Sequence, residues 1–244
     1  MAWAARVASL FIVTGVLAGG AGAAPPRPLA EAAAARIDVY FDFANGITGE
    51  IWDRGRQLQL REDAMQGGEL IQLPRGDDWA VHFPFVCDVT PRDCPRVILE
   101  SAQAGLLNPG TQPIYWGASV QMMMNEKSDG ANVMQKGLSV DGTQYKLQVD
   151  GLEGRPSCAI TTPNGRYVAL SREGVADGTW HSLACARNGS VLTLFIDGRE
   201  ARVASVPIEL SIENDHPLRI GGKGHGPYND QFHGTIDDVF VSIG

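Results

Sequence analysis

Apolar and polar residues alternate most regularly in the stretch from residue 177 to residue 198. Apolar positions at 183 and 185, and again at 192, 194 and 196, predict two strands that each have one buried face. Asn188-Gly189 lies between them and predicts a type I′ hairpin turn, because both residues tolerate positive φ. Asp197-Gly198 predicts a second turn of this kind. Residues 199–204 should therefore return as a third strand of an antiparallel meander.

Similar alternation, or β-branched and aromatic runs bounded by Gly, Pro and Asn, marks further strands. The regions that carry it are Ile37–Phe43, Gln57–Arg61, Ala80–Phe83, Ile114–Met122, Tyr145–Val149 and Gly234–Ser242. Met122, Met123 and Met124 are interpreted as a strand end with mixed burial and not as a metal or cofactor box. This pattern predicts an all-β chain that is rich in turns.

Three of these segments also carry a family resemblance. They are the Asp-Gly-Thr-Trp-His run that starts at Asp177, the strand that ends in Asp197-Gly198, and the closing Gly234-Thr-Ile-Asp-Asp-Val strand. Together they resemble laminin G-like domains of the concanavalin A-like lectin/glucanase superfamily, of the kind found in secreted actinobacterial proteins. The resemblance covers residues 114–244 well and residues 37–113 weakly. It implies a two-sheet antiparallel jelly-roll sandwich in which the first strand lies beside the last.

The N-terminal residues have the features of a signal peptide. Arg6 precedes an apolar run at 7–18, and Ala21-Gly22-Ala23 is a small-residue cleavage site. An uncleaved anchor is the alternative, but about 12 apolar residues are too few, since a membrane span needs roughly 20. We therefore expect a signal peptide at 1–23, a Pro/Ala-rich tether at 24–36, a jelly-roll domain at 37–244, and a secreted product without membrane insertion after cleavage.

The charge balance restricts the classes of partner. The formal net charge is −8, and it becomes −9 when Arg6 is removed with the signal peptide. An acidic surface repels phosphate backbones and anionic lipids. Nucleic acid is therefore excluded as the expected partner, and a glycan or an extracellular protein fits better.

Four cysteines in an exported chain predict two disulfides, for which three connectivities exist. Cys87 and Cys94 bracket six residues, which suits a small clamped loop. The family pattern makes the strands of Cys158 and Cys185 neighbours, and we therefore expect the pairs Cys87–Cys94 and Cys158–Cys185. A zinc site is the alternative, but the chain has no Cys-x-x-Cys spacing.

Catalytic patterns are weak in this chain. Glucanases of the superfamily carry Glu-x-Asp-x-x-Glu, which places paired carboxylates on one face of a strand. The nearest run is Glu213-Asn-Asp215, where Pro217 and Leu218 follow in place of a second glutamate. We therefore expect a protein that is not an enzyme. A divergent glycoside hydrolase with carboxylates on separate loops is the alternative, as is an envelope-associated structural protein.

The resemblance also implies a calcium ion, because many relatives hold one through oxygen ligands. Asp237 aligns with an aspartate that binds a structural calcium in related glucanases. Asp42 would approach it if the first and last strands are adjacent. The alternative is that both are solvated strand carboxylates.

The expected function is that of a secreted recognition module that binds carbohydrate or protein, assisted by calcium if the ion is present. The loop between Cys87 and Cys94 is a hypothetical part of the binding rim, since a pre-ordered loop loses less entropy on binding. Aromatic side chains are the candidates for stacking on a sugar, with core packing as the alternative for each. They are Trp52, Trp79, Tyr115, Trp116 and Tyr228.

Overall fold

A computed structural model describes residues 36–103 and 105–244 of the chain. The expected signal peptide and nearly all of the tether lie outside these residues. Within them there is no helix long and apolar enough to cross a membrane. The strands are β1 Ile37–Phe41, β2 Ile51–Trp52, β3 Gln59–Met65, β4 Ile71–Arg75, β5 Asp78–Phe83, β6 Arg96–Ser101, β7 Ile114–Gln121, β8 Gly130–Leu138, β9 Asp141–Asp150, β10 Arg155–Thr162, β11 Gly165–Leu170, β12 Trp180–Asn188, β13 Val191–Ile196, β14 Arg199–Ser205, β15 Leu218–Ile220 and β16 Gly234–Ile243. Two single 3₁₀ turns span Gly105–Leu107 and Met124–Glu126.

The strands form two eight-stranded antiparallel sheets. The first sheet has the order β14-β13-β12-β7-β16-β5-β4, and β1 also pairs with β16. The second sheet has the order β11-β10-β9-β8-β15-β6-β3-β2. The first and last strands are therefore neighbours, as the resemblance implies, and the all-β jelly-roll expectation is confirmed.

The last strand, β16, changes partner along its length. Residues 234–236 pair with β5, whereas residues 239–243 pair with β1. A bulge between Asp237 and Phe240 lies at the change, and Asp238 has a φ of +51° there. Bulges re-aim side chains at such points. Both aspartates consequently face the same group of polar side chains on the outer face of the first sheet.

The core lies between the two sheets and is built from alternate residues of each strand. Trp116 and Ile236 of the first sheet and Tyr145 and Leu147 of the second are fully buried in it. Met122 is also buried whereas Met123 and Met124 are exposed, which confirms the mixed burial expected at this strand end. Burial of alternate positions on both sheets is the arrangement that holds a β-sandwich together.

Two disulfides join the same cysteine pairs that the sequence analysis proposes. The Cys158–Cys185 bond links β10 to β12 and so ties the two sheets together through the core. The Cys87–Cys94 bond closes a loop between β5 and β6.

One turn differs from its prediction. Asn188 pairs with Val191, so the turn residues are Gly189-Ser190 and not Asn188-Gly189. Gly189 has a φ of +55°, and Ser190 is not among the positive-φ residues. This fits a turn that needs glycine only at its first central position, as type II′ does. By contrast, Asp197 and Gly198 have φ values of +51° and +73°, as a type I′ turn requires.

Candidate functional site

A cleft of about 360 Å³ opens at one rim of the sandwich. One wall is the disulfide loop at residues 86–96, the other is the segment 227–233, and residues 128–130 lie between them. We call it the Tyr228 cleft. It brings together Tyr228 and the Cys87–Cys94 loop, which the sequence analysis selected separately and which lie far apart in the chain.

The disulfide loop is held in shape from inside. Arg96 opens β6, and its side chain turns back under the loop. The guanidinium Nη1 donates hydrogen bonds of 2.8 Å to the carbonyl oxygens of Pro91 and Cys94. Thr90 and Asp93 close the tip through a hydroxyl-to-carboxylate bond of 2.6 Å. The loop is therefore ordered by a covalent bond and a buried cation before any ligand binds.

The opposite wall is anchored by the amide side chain of Gln231. Its Oε1 accepts a hydrogen bond from the Val97 backbone N–H at 3.1 Å, and its Nε2 donates to the Val97 carbonyl at 3.1 Å. The Nε2 also donates to the carbonyl of Gly221 at 2.8 Å. Because buried, fully paired amides rigidify their surroundings, this wall is fixed to β6.

Tyr228 projects from this fixed wall with 73% of its surface exposed. Val86 and Val89 present exposed apolar surface from the disulfide loop. The exposed carboxylate of Asp129 borders the cleft and makes no hydrogen bond or ion pair with any described residue. The cleft thus combines a free aromatic face, apolar contact area and a hydrogen-bond acceptor without a partner among residues 36–103 and 105–244.

The other aromatic candidates lie outside the cleft. Trp52 donates from Nε1 to Glu50 at 3.0 Å, and the guanidinium of Arg56 covers its ring at 5.0 Å. Trp79 is exposed on β5. Tyr115 is also exposed at the surface, where its ring packs against Phe240 with a centroid distance of 4.8 Å.

Trp116 is wrong as a binding candidate. Its side chain is 0% exposed and packs in the core against Tyr145 at a centroid distance of 5.2 Å. The alternation of β7 explains the error, because Trp116 shares the inward face with Ala118 and Val120. Tyr115, one position earlier, points outward.

The two aspartates proposed for calcium are each engaged by an arginine. Asp42 accepts a bond of 2.5 Å from Arg54 Nε. Asp237 and Asp238 both bind Arg75, at 2.5 and 2.6 Å from Nη1, and the Arg75 guanidinium lies 4.1 Å from the ring centroid of Trp180.

The side chains of Asp42, Asp237 and Asp238 do not fit a calcium site. Arg75 already binds both carboxylates of the acidic pair on β16, and no group of three or more His, Cys, Asp or Glu within residues 36–103 and 105–244 is placed to hold a metal ion. Burial raises the pKa of Asp237 to about 6, despite the opposing effect of Arg75. Burial also acts to raise the pKa of Asp238, but hydrogen bonds from Tyr40, Arg75 and Ser119 outweigh it and lower that pKa overall.

Solved structures share this architecture at low sequence identity. Domain 4 of AbnA, a GH43 extracellular arabinanase from Geobacillus stearothermophilus in complex with arabinotriose, superposes with a TM-score of 0.63 at 14% identity, over 84% of this chain and 91% of that chain. The binding domain of Paraclostridial Mosquitocidal Protein 1 gives 0.59 at 11% identity, over 83% and 48%. Botulinum neurotoxin type C, whose cell entry depends on interaction with two ganglioside molecules, gives 0.58 at 8% identity, over 84% and 47%. The chain thus spans about half the length of both toxin chains, and these likenesses show the fold.

A search of curated proteins finds no match. The family model Laminin_G_3, described as the Concanavalin A-like lectin/glucanases superfamily, matches residues 108–242, which is more than half of the chain. That match includes the meander and the closing strand from which the resemblance was drawn. The chain belongs to this laminin G-like family of the concanavalin A-like lectin/glucanases superfamily.

Proposed function

We propose that the protein is a secreted, non-catalytic recognition module that binds carbohydrate in the Tyr228 cleft. The observation that carries this proposal is the exposed Tyr228 ring on a wall fixed by Gln231, opposite a loop closed by a disulfide. Sugars offer apolar C–H faces that pack on aromatic rings and hydroxyl groups that donate to carboxylates. Tyr228 and Asp129 supply these two kinds of contact.

The order of the cleft supports a binding role. Groups that are already fixed lose little conformational entropy when a ligand arrives, and so more of the contact energy appears as affinity. Among the structural neighbours, the arabinanase domain was solved with arabinotriose and the neurotoxin interacts with gangliosides. These ligands make oligosaccharides the first class to test.

The proposed function does not require calcium. The two carboxylates suggested for the ion are bound to arginines, Asp42 to Arg54 and Asp237 to Arg75. Asp129 can accept hydrogen bonds from a ligand without a metal. The binding experiment therefore includes parallel samples with calcium and with EDTA.

A glycan array probed with residues 24–244 tests the proposal. We expect binding to one oligosaccharide class and a loss of at least tenfold in affinity, or about 1.4 kcal/mol, in Tyr228→Ala. Trp79→Ala removes an exposed aromatic outside the cleft and should bind as the wild type does. Equal losses of affinity in both variants, or unchanged binding by Tyr228→Ala, would show that the Tyr228 cleft is not the glycan-binding site.

A further inference from the structure

A second cavity, of about 350 Å³, lies on the outer face of the first sheet. Its apolar walls come from Ile71, Leu73, Phe85 and Met123, which are all exposed to solvent. The floor of the cavity is polar. We call this cavity the His82 pocket. It is separate from the Tyr228 cleft, with which it shares no lining residue.

The walls place apolar side chains on the solvent-facing surface at a sheet edge, where polar side chains are usual. Ile71 pairs with His82, so the apolar Ile71 and the imidazole lie side by side on the outer face. Leu73 follows two positions later on the same face of β4. Solvent-facing apolar side chains around a polar floor are typical of a ligand pocket.

His82 and Glu126 form the floor, with side chains only 8% and 7% exposed. His82 Nδ1 lies 3.2 Å from the Thr235 hydroxyl, whereas Nε2 is buried without a hydrogen-bond partner in the described part of the chain. Glu126 Oε2 accepts a bond of 2.6 Å from the Met123 backbone N–H. The remaining oxygen, Oε1, lies 3.8 Å from His82 Nε2, too far for a hydrogen bond.

The floor carries a negative charge. Burial lowers the pKa of His82, which leaves the imidazole neutral at neutral pH, and burial likewise lowers the pKa of the neighbouring His233. Within the described residues, Glu126 has no ion-pair contact other than the 3.8 Å approach of His82. A buried carboxylate is costly unless a cation or several hydrogen bonds accompany it.

We propose that the His82 pocket binds a primary ammonium group carried on an apolar body. The ammonium has three N–H donors and no acceptor. It can donate to Glu126 Oε1 and to His82 Nε2, since the latter is an acceptor when Nδ1–H donates to Thr235. The alkyl part of the ligand then contacts Ile71, Leu73 and Met123.

Phe85 covers the floor. Its ring centroid is 4.6 Å from that of His82, and 62% of the residue is exposed. Because most of Phe85 is exposed to solvent, this ring has room to move aside as a ligand approaches His82. An anionic ligand of the same shape would meet the Glu126 carboxylate and be repelled.

Hexylamine is a suitable probe, and NMR titration of the labelled protein is a suitable readout. We expect shifts of the signals from residues 71–73, 82–85 and 123–126, with weaker binding of hexan-1-ol and none of hexanoate. Glu126→Gln should weaken hexylamine at least tenfold, whereas Glu209→Gln, which removes an exposed carboxylate elsewhere, should leave the affinity unchanged.

A wall variant and thermal unfolding complete the experiment. Leu73→Asn should weaken hexylamine while it leaves the floor intact, and unfolding curves show that each variant is folded. Absence of hexylamine binding, equal binding of hexan-1-ol, or an unchanged affinity in a folded Glu126→Gln protein would overturn the proposal. These outcomes are independent of glycan binding, because the two sites share no lining residue. Tyr228→Ala should therefore bind hexylamine as the wild type does.

Discussion

The Cys87–Cys94 disulfide can be tested for a role in ligand binding that is separate from its contribution to stability. Its sequence separation of 7 closes a short loop, for which the chain-entropy relation gives roughly 2.5 kcal/mol of stability. The loss of unfolding free energy in Cys87→Ser/Cys94→Ser should stay below this value. The loop lies on the surface, and Arg96 still holds the carbonyls of Pro91 and residue 94 from below.

The effect on binding should be the larger one. Without the disulfide, two or three loop residues must be ordered when a glycan binds, at roughly 1 kcal/mol each. A cost of about 2 to 3 kcal/mol corresponds to roughly 30- to 150-fold weaker binding. Urea unfolding gives the stability, and titration with the oligosaccharide selected on the array gives the affinity.

The second disulfide supplies the matched control. Cys158–Cys185 has a separation of 27, for which the same relation gives roughly 3.6 kcal/mol. Alanine is the replacement there, because a buried serine hydroxyl without a partner adds its own penalty. Cys158→Ala/Cys185→Ala should lose more stability yet bind the glycan as the wild type does. Full affinity in Cys87→Ser/Cys94→Ser would refute the binding role of the loop.

Two further predictions concern the acidic pair on β16. Because the pKa of Asp237 is raised from 3.8 to about 6 by burial, the folded state binds this proton more tightly than the unfolded chain does, and the associated stability is lost as pH rises through about 6. Asp237→Asn should therefore reduce the loss of unfolding free energy between pH 4 and pH 7, and parallel urea curves for both proteins would contradict the assignment. Calcium and EDTA should give the same Tm, since Arg75 already binds both Asp237 and Asp238; a higher Tm with calcium would support the ion that the family resemblance implies.

The sequence predicts the fold because the decisive signals are local. Asp197-Gly198 specifies its turn through two positive φ values, and alternation assigns the faces of β12 and β13 without reference to the rest of the chain. The turn between β12 and β13 is predicted one residue too early, at Asn188-Gly189 and not at Gly189-Ser190, because Asn-Gly and Gly-Ser are both good turn pairs. Cross-strand pairing then selects between them, and that is a tertiary property.

The sites are less predictable because their parts are distant in sequence. Gln231 fixes the cleft wall through Val97, 134 positions earlier, and nothing local marks either residue. His82 and Glu126 meet through the pairing of β5, β16 and β7. Tyr228 is one of five aromatic candidates in the sequence. Its exposure on an anchored wall distinguishes it only in the folded protein.

The central claim is that the Tyr228 cleft binds carbohydrate. The most direct measurement is an NMR titration of the labelled protein with the oligosaccharide that binds best on the array. We predict that the largest shifts fall at residues 86–94, 128–130 and 227–231, and that Tyr228→Ala needs at least tenfold more ligand to reach them. Shifts centred on another face of the sandwich, or no saturable shifts with any array-selected glycan, would contradict the account.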